Sequence, residues 1–193
     1  MTLALPSPEP VYGCGDAGHL VTRGCVGGIV VSGRCDRVLV HERYVEAMRQ
    51  AIEEATHAPA TGDVPVGAVV LGPTGHVIGC GHNEREARAD PTAHAEMIAL
   101  RQAAEAVGEW RLRGCMLVVT LEPCTMCAGA LVQARIDRLI FGAVDDKAGA
   151  VGSLWDVVRD RRLNHRPEVI GGVLAAECSE LLIKFFRDHR VVG

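Results

Sequence analysis

The sequence predicts an α/β protein, a three-layer α/β/α sandwich built around one five-stranded mixed sheet. A helical pattern is followed by a hairpin pattern, and from there short strands alternate with helices, as in α/β folds. Hydrophobic residues make up 48% of the 193 residues, which is enough for a sizeable core. The length favours a single domain, and no internal repeat is visible.

The first regular elements are a helix and a hairpin. RYVEAMRQAIEEATHA, residues 43–58, has apolar residues near helical spacing and predicts an amphipathic helix. VPVGAVVLGPTGHVIGCGHN, residues 64–83, predicts two strands joined by the turn Gly-Pro-Thr-Gly. A longer helix is predicted over residues 89–108, with Asp90 as its N-cap and Gly108 at its end.

The rest of the chain alternates between strands and helices. Runs rich in β-branched residues predict strands, and apolar residues at helical spacing predict helices. In chain order these are a strand over 115–121, a helix over 124–136, a strand over 138–144, a short helix over 153–160, a strand over 168–174 and an amphipathic helix over 175–190.

The first forty residues differ in character from the rest of the chain. Residues 1–40 contain PSPEP, scattered glycines and three irregularly spaced cysteines, and no helical or strand period holds for long. We expect a disordered extension there, followed by one domain over 41–193. A zinc site in the extension is the weaker alternative, because the cysteines lack the C-x-x-C pairing typical of such sites.

Composition excludes several classes of protein. No apolar run reaches the roughly 18 residues of a transmembrane helix, and the N-terminus lacks a signal-peptide pattern, so we expect a cytoplasmic protein without a membrane partner. In that compartment, the eight cysteines are more often metal ligands or catalytic groups than disulfides. The net charge of −4 gives no overall attraction to nucleic acid, although a local basic patch would suffice.

A histidine and two cysteines form a candidate metal centre. Cys124 and Cys127 are three apart at the start of a predicted helix, so their side chains share one face. With His94 they give three good zinc ligands, and catalytic zinc sites keep the fourth position for water. A structural site completed by Cys80 or Cys115 is the alternative that the sequence leaves open.

Glu96 decides between a catalytic and a structural reading of this centre. Residues two apart on a helix point about 200° away from each other, so His94 and Glu96 cannot share one flank. They can both face a point just beyond the helix N-terminus if they lie in the first turn. Glu96 would then transfer protons beside the open zinc position. The alternative is a first-turn glutamate that only complements the helix dipole.

These motifs resemble a known family. The pairing of HAE with PCxxC resembles the zinc-dependent nucleobase deaminases. Across roughly residues 44–190, VPVGAVV, DPTAHAEMIALR, MLVVTLEPCTMCAGA, FGAVDDKAGAVGSL, NHR and FFR resemble the bacterial tRNA-specific adenosine deaminases, in that order. The resemblance implies a cytidine-deaminase-like fold, one Zn²⁺ per subunit and a homodimer. It also implies hydrolysis of the wobble adenosine in a tRNA anticodon stem-loop to inosine, with release of ammonia.

The resemblance also implies roles for individual residues. His94, Cys124 and Cys127 match the zinc ligands, and Glu96 matches the proton shuttle. Positions that match contacts to the base, the ribose or the RNA are Asn83, Val66, Ala95, Asp145, Lys147, Phe186 and Arg187. Two rivals remain at this point: a deaminase of free bases or nucleotides with the same zinc core, and a non-catalytic module stabilised by zinc.

Overall fold

The computed structural model describes residues 35–190. The predicted disordered extension lies outside the described residues as far as residue 34, and its cysteines at 14 and 25 lie outside them too. Residues 35–40 are helical, because the first helix begins at Cys35, before the predicted start at Arg43.

Five strands in the described part of the chain form one mixed sheet. The strands are β1 (Gly67–Leu71), β2 (Val77–His82), β3 (Met116–Leu121), β4 (Arg138–Ala143) and β5 (Glu168–Gly171). Their order across the sheet is β2-β1-β3-β4-β5. Strand β1 pairs antiparallel with β2 and with β3, whereas β3, β4 and β5 run parallel to one another. This confirms the predicted mixed sheet.

Helices cover both faces of the sheet. The helices are α1 (Cys35–Ala55), α2 (Arg85–Arg88), α3 (Ala95–Val107), α4 (Thr125–Gln133) and α5 (Ala175–Arg190). One hydrophobic cluster joins α3 and α4 to one face, and a second cluster joins α1 and α5 to the other. The three-layer α/β/α sandwich is therefore confirmed. Within the described range, no helix combines the length and apolar character needed to cross a membrane.

Strand β3 shows why the strands of the sheet could be predicted from the sequence. Leu117 and Val119 face the cluster that contains Leu131 of α4, and Val118 faces the cluster that contains Met48 of α1. All five side chains are fully buried. A strand covered on both faces reads as a continuous apolar run, and MLVVTL is such a run.

Close approach of α3 to the sheet requires a glycine at position 79. A Cβ there would meet the carbonyl oxygen of Ala99 and would lie 2.7 Å from the backbone nitrogen of Ala103. Gly79→Ala should therefore lower the free energy of unfolding by about 1–3 kcal/mol through overpacking. Urea denaturation measures it, and Gly129→Ala, where a Cβ has nothing within 4 Å, is the control. Equal stability of the two variants would contradict this packing.

Two predicted local features are wrong. Residues 153–160 form turns and an isolated bridge between Val151 and Asp156, not a helix. Helix α3 begins at Ala95, so Asp90 is not its N-cap; the Asp90 carboxylate accepts hydrogen bonds from the backbone N–H and the hydroxyl of Thr92, at 2.8 and 2.7 Å. This local turn competes with helix formation, as short acidic side chains often do.

Candidate metal centre and active site

The N-termini of α3 and α4 place the candidate metal ligands. His94 is the N-cap of α3 and Cys124 is the N-cap of α4, both with extended backbone (ψ 152° and 175°). N-cap side chains usually accept a hydrogen bond from the first turn, but neither of these does. Both side chains are thus available to a shared ligand beyond the helix ends, where the sequence predicted the centre.

The three donor atoms have the spacing of a tetrahedral zinc site. The Nδ1 atom of His94 lies 3.7 Å from the Sγ of Cys124 and 3.6 Å from the Sγ of Cys127. Zinc bonds of about 2.3 Å to sulfur and 2.0 Å to nitrogen at tetrahedral angles require a nitrogen–sulfur separation of about 3.5 Å. Both nitrogen–sulfur distances are close to this value, and all three ligand atoms lie within 4.8 Å of one another.

No fourth protein ligand joins this group among the residues that the structure describes. The only group of three or more potential ligand side chains there is His94, Cys124 and Cys127. Cys115 precedes β3 at the end opposite Leu121, and its thiol contacts the carbonyl of Arg113 at 3.7 Å. A three-ligand centre leaves one position for water or substrate, which is the arrangement of catalytic zinc.

Hydrogen bonds within the centre separate the pKa values of its ligands. The hydrogen bond from Cys127, assisted by His94 and opposed by burial, lowers the pKa of the Cys124 thiol to about 3. Their hydrogen bonds with Cys124 raise the pKa of His94 and that of Cys127. Zinc is bound by thiolates and neutral imidazole, so metal binding is coupled to the release of protons from this centre.

Glu96 lies beside the centre in the first turn of α3. Its side chain is only 4% exposed and forms part of the lining of a cavity that also reaches His94 and Cys124. Burial raises the pKa of this carboxyl above its ordinary value. A carboxyl group in this position can exchange protons with a molecule in the cavity.

The cavity brings most of the predicted site residues together. It has a volume of about 640 Å³, within the usual range for small-molecule sites. The predicted residues that line it are Val66, Asn83, His94, Glu96, Cys124, Asp145, Lys147 and Phe186. They come from six separate parts of the chain, so the fold itself assembles the site.

Three predicted site residues have other surroundings. Cys127 and Ala95 are fully buried, the first as a ligand and the second between His94 and Glu96. The side chain of Arg187 is 71% exposed and lies 3.5 Å from the carboxylate of Asp188. Substrate contacts by Ala95 and Arg187 stay predictions.

The sequence reading missed about half of the cavity lining. The residues that line the cavity without having been predicted are Val64, Arg85, Leu121, Glu122, Val144, Asp146, Ala148 and Leu182. Two signals could have found some of them. Leu121 and Glu122 directly precede the cysteine motif, and Leu182 is four residues before Phe186 on α5, where side chains share a helix face.

A buried carboxylate supports the loop that carries Asn83. The backbone N–H of Asn83 donates to the carbonyl of Val66 at 3.0 Å. Asp63, which is 2% exposed, accepts hydrogen bonds from the backbone N–H groups of Glu86 and Ala87 at 2.9 and 3.1 Å. Burial opposes its ionisation, but these hydrogen bonds outweigh burial and lower the pKa of Asp63. The cavity wall that carries Asn83 is therefore held in place by hydrogen bonds on both sides of that residue.

Comparison with known families agrees with this geometry. Residues 41–143 match the family model described as the cytidine and deoxycytidylate deaminase zinc-binding region. The fold, the three-ligand centre and this match define the class: the protein is an enzyme of the zinc-dependent deaminases, and its centre binds zinc.

Curated relatives narrow the class. A tRNA-specific adenosine deaminase of Haemophilus influenzae is 51% identical over 156 residues, 80% of this chain and 90% of the relative. One of Bacillus subtilis is 47% identical over 143 residues, 74% of this chain and 88% of the relative. The chain belongs to the tRNA-specific adenosine deaminase family.

Solved structures are similar as well. A structure from work on A-to-I editing by tRNA:A34 deaminases at the wobble position shares 44% identity, with a TM-score of 0.68 over 71% of this chain and 99% of that one. A guanine deaminase of Nitrosomonas europaea shares 25% identity, with a TM-score of 0.57 over 75% of this chain and 83% of that one.

Proposed function

We propose that this enzyme hydrolyses the wobble adenosine of a tRNA anticodon to inosine and releases ammonia. The observation that carries the proposal is the placement of Glu96 beside a three-ligand centre, inside a cavity walled by Val66 and Asn83. Identity of 47 and 51% to tRNA-specific adenosine deaminases supports the choice of substrate. Anticodon bases suit such a cavity because they are unpaired and can be turned out of the stack at low cost.

The chemistry divides between the metal and Glu96. His94, Cys124 and Cys127 would hold the zinc ion, which when bound would lower the pKa of a water molecule and so allow a nucleophile to form near neutral pH. Glu96 takes a proton from the attacking water and gives it to ring nitrogen 1 of adenine as the water oxygen bonds to carbon 6. It then carries the hydroxyl proton to the amino group, the carbon–nitrogen bond breaks, and ammonia departs as the carbon 6 carbonyl forms.

The cavity walls orient the nucleoside. Val66 packs on the face of the base, and the Asn83 side chain hydrogen-bonds to its edge. Asp145 contacts the ribose, while Lys147 and Phe186 meet the neighbouring anticodon nucleotides through charge and stacking. Arg187, which faces solvent, contacts RNA outside the cavity. The binding surface is thus made by several short segments around the metal centre.

We also propose that the enzyme is a cytoplasmic homodimer. Leu154 and Trp155 are 53 and 59% exposed, and adjacent large apolar side chains at a surface are typical of an interface. A tRNA substrate and thiolate ligands both accord with the reducing cytoplasm. Light scattering of the purified protein should give twice the chain mass, and a monomer at micromolar concentration would contradict the dimer.

Substrate competition tests the proposed function. The zinc-loaded enzyme is incubated in parallel with an anticodon stem-loop carrying a wobble adenosine, with free guanine, with adenosine and with deoxycytidylate, and ammonia is measured. Turnover confined to the stem-loop is expected. Turnover of guanine without turnover of the stem-loop would favour the second candidate, a free-base deaminase, which the similarity to the Nitrosomonas europaea enzyme makes the specific rival.

Asn83→Ala should lower kcat/KM for the stem-loop without loss of zinc. Removal of the side chain costs one or two hydrogen bonds to the base, which corresponds to a decrease of about 10- to 100-fold. The backbone bond from Asn83 to Val66 is retained, so the wall should keep its fold. Gln50→Ala, which removes an amide from α1 on the opposite face of the sheet, is the control. An unchanged kcat/KM in Asn83→Ala would refute the contact.

Deletion of residues 1–34 should leave deamination close to that of the full chain. We propose that the deaminase domain lies within residues 41–193, and the family match begins at residue 41. The deletion keeps α1 intact, whereas a cut at residue 40 would remove its first six residues. Steady-state kinetics and circular dichroism of the shortened chain measure the effect. A folded but inactive truncation would show that the extension takes part in catalysis.

A further inference from the structure

We propose that Glu122 is a positioning residue whose buried carboxylate holds the loop over residues 145–153 as one wall of the substrate cavity. This role rests on the proposed function, because the wall carries Asp145 and Lys147. Glu122 would thereby control substrate affinity without exchanging protons with the substrate.

Glu122 occupies the joint between the sheet and the metal centre. It follows β3 directly and precedes Cys124 by two residues. Its backbone N–H donates to the carbonyl of Ala143 at the end of β4, at 2.8 Å. The residue is only 2% exposed. The backbone of Glu122 is therefore fixed to the sheet at the start of the metal-binding segment.

The loop supplies four hydrogen bonds to this carboxylate. One oxygen, Oε1, accepts from the backbone N–H groups of Val151 and Ser153, at 2.9 and 3.1 Å. The other, Oε2, accepts from the backbone N–H of Asp145 at 3.2 Å and from the hydroxyl of Ser153. Four donors use the full acceptor capacity of a carboxylate, and bonds to a charged acceptor are stronger than neutral ones.

The loop also packs directly against the segment that leads to the metal. A Cβ on Gly149 would lie 2.6 Å from both Cδ and Oε2 of Glu122, so only glycine permits this approach. Gly149 forms an isolated bridge with Cys124, and the N–H of Ala150 donates to the carbonyl of Pro123 at 2.8 Å. The Glu122 carboxylate thus lies among these contacts and connects the loop over residues 145–153 to the segment that carries Cys124.

The start of the loop transmits this anchoring to the cavity. The Asp145 carboxylate accepts hydrogen bonds from the backbone N–H groups of Lys147 and Ala148, at 3.0 and 3.2 Å. All three residues line the cavity. When Glu122 holds the backbone of Asp145, it therefore fixes the turn that presents Asp145 and Lys147 to the substrate.

Glu122→Gln is the sharpest test because it changes the acceptors and hardly changes the volume. An amide nitrogen at the Oε1 position would face two N–H donors, so the nitrogen should take the Oε2 position. There the amide nitrogen faces the backbone N–H of Asp145, and two donors cannot form a hydrogen bond. The Ser153 hydroxyl can rotate and accept a hydrogen bond from the amide. The variant should thus release the Asp145 end of the loop and keep the Val151 end.

Kinetics of Glu122→Gln should separate affinity from chemistry. We expect KM for the stem-loop to rise about tenfold or more, because the variant loses a hydrogen bond to a charged acceptor. Zinc content and kcat should stay close to those of the parent. Ile136→Val, a fully buried change beside β4 at the end far from the metal, is the control for lost stability. If kcat falls at an unchanged KM, or if Ile136→Val raises KM equally, the positioning role is overturned.

Hydrogen exchange gives a second test that does not depend on turnover. Amides of residues 145–149 should exchange faster in Glu122→Gln than in the parent, whereas those of Val151, Ser153 and α3 should keep the protection they have in the parent. Unchanged protection of the loop overturns the inference even if the enzyme deaminates tRNA. Loss of protection in Glu122→Gln, together with a parent enzyme that does not deaminate the stem-loop, would instead refute the proposed function alone.

Ser153→Ala covers the case in which Glu122→Gln does not fold. It removes the hydroxyl donor and leaves the three backbone bonds to the carboxylate. We expect the same rise in KM, smaller in size, and partial loss of loop protection. A Ser153→Ala enzyme with parental KM and parental exchange would contradict the proposal.

Discussion

Cys124→Ala should abolish zinc binding and deamination together. The residue is one of the three candidate ligands, and the two that remain, His94 and Cys127, should bind zinc too weakly to retain it in buffer. Loss of a direct ligand should reduce zinc affinity by more than the roughly 100-fold typical of losing a group that only hydrogen-bonds to a ligand. Metal analysis by mass spectrometry and the stem-loop assay, applied to one preparation, measure both effects.

Cys178→Ala is the matched control for this change. Cys178 is also buried, at 1% exposed, but it lies on α5 and packs against the opposite face of the sheet. This variant should retain one zinc per chain and parental turnover. A Cys124→Ala enzyme that still binds one equivalent of zinc would show that the metal centre has been assigned to the wrong residues.

Glu96→Gln should retain zinc and lose nearly all turnover. The carboxamide has the same shape and cannot take up or deliver the protons that the reaction requires. General acid–base catalysis contributes about 10²- to 10⁴-fold, so kcat should fall within that range. KM should change little, since the side chain sits at the reacting atoms and not on the substrate-binding walls.

Glu105→Gln separates the catalytic role from a helix effect. Glu105 lies on the same helix and is exposed, so its amide variant should behave like the parent. Zinc content of both variants is measured beside their kinetics. If zinc-loaded Glu96→Gln had the turnover of the parent, Glu96 would have no role in proton transfer. It would then only complement the helix dipole, which is the alternative that the sequence alone could not exclude.

The sheet and the metal centre could be predicted because each depends on local sequence. Strand β3 is apolar throughout because both of its faces are covered. The ligands belong to two short motifs, and both motifs coincide with helix N-termini, where one turn of backbone fixes the side-chain direction. The spacing of His94 and Glu96 placed the centre at a first turn, and His94 is indeed the N-cap.

The segment after β4 could not be predicted for a physical reason. SLWDVVRD has helical spacing, but its backbone groups bond to distant residues. The N–H of Ser153 donates to Glu122 at 3.1 Å, and the N–H of Val157 donates to the carbonyl of Ala150 at 3.0 Å. A helix would break these bonds, so tertiary contacts override the local preference. Some of the cavity lining, such as Arg85, was missed because only the fold brings it to the cavity and no motif in the sequence marks it.

Sequencing of treated tRNA tests wobble deamination by this enzyme. Total tRNA from cells that lack the activity is incubated with the zinc-loaded enzyme, with Glu96→Gln as the blank, and inosine is read as guanosine. We expect adenosine-to-inosine conversion at the wobble position of the anticodon, and only in tRNA treated with the active enzyme. Conversion at other positions, or none while free bases are deaminated, would contradict it.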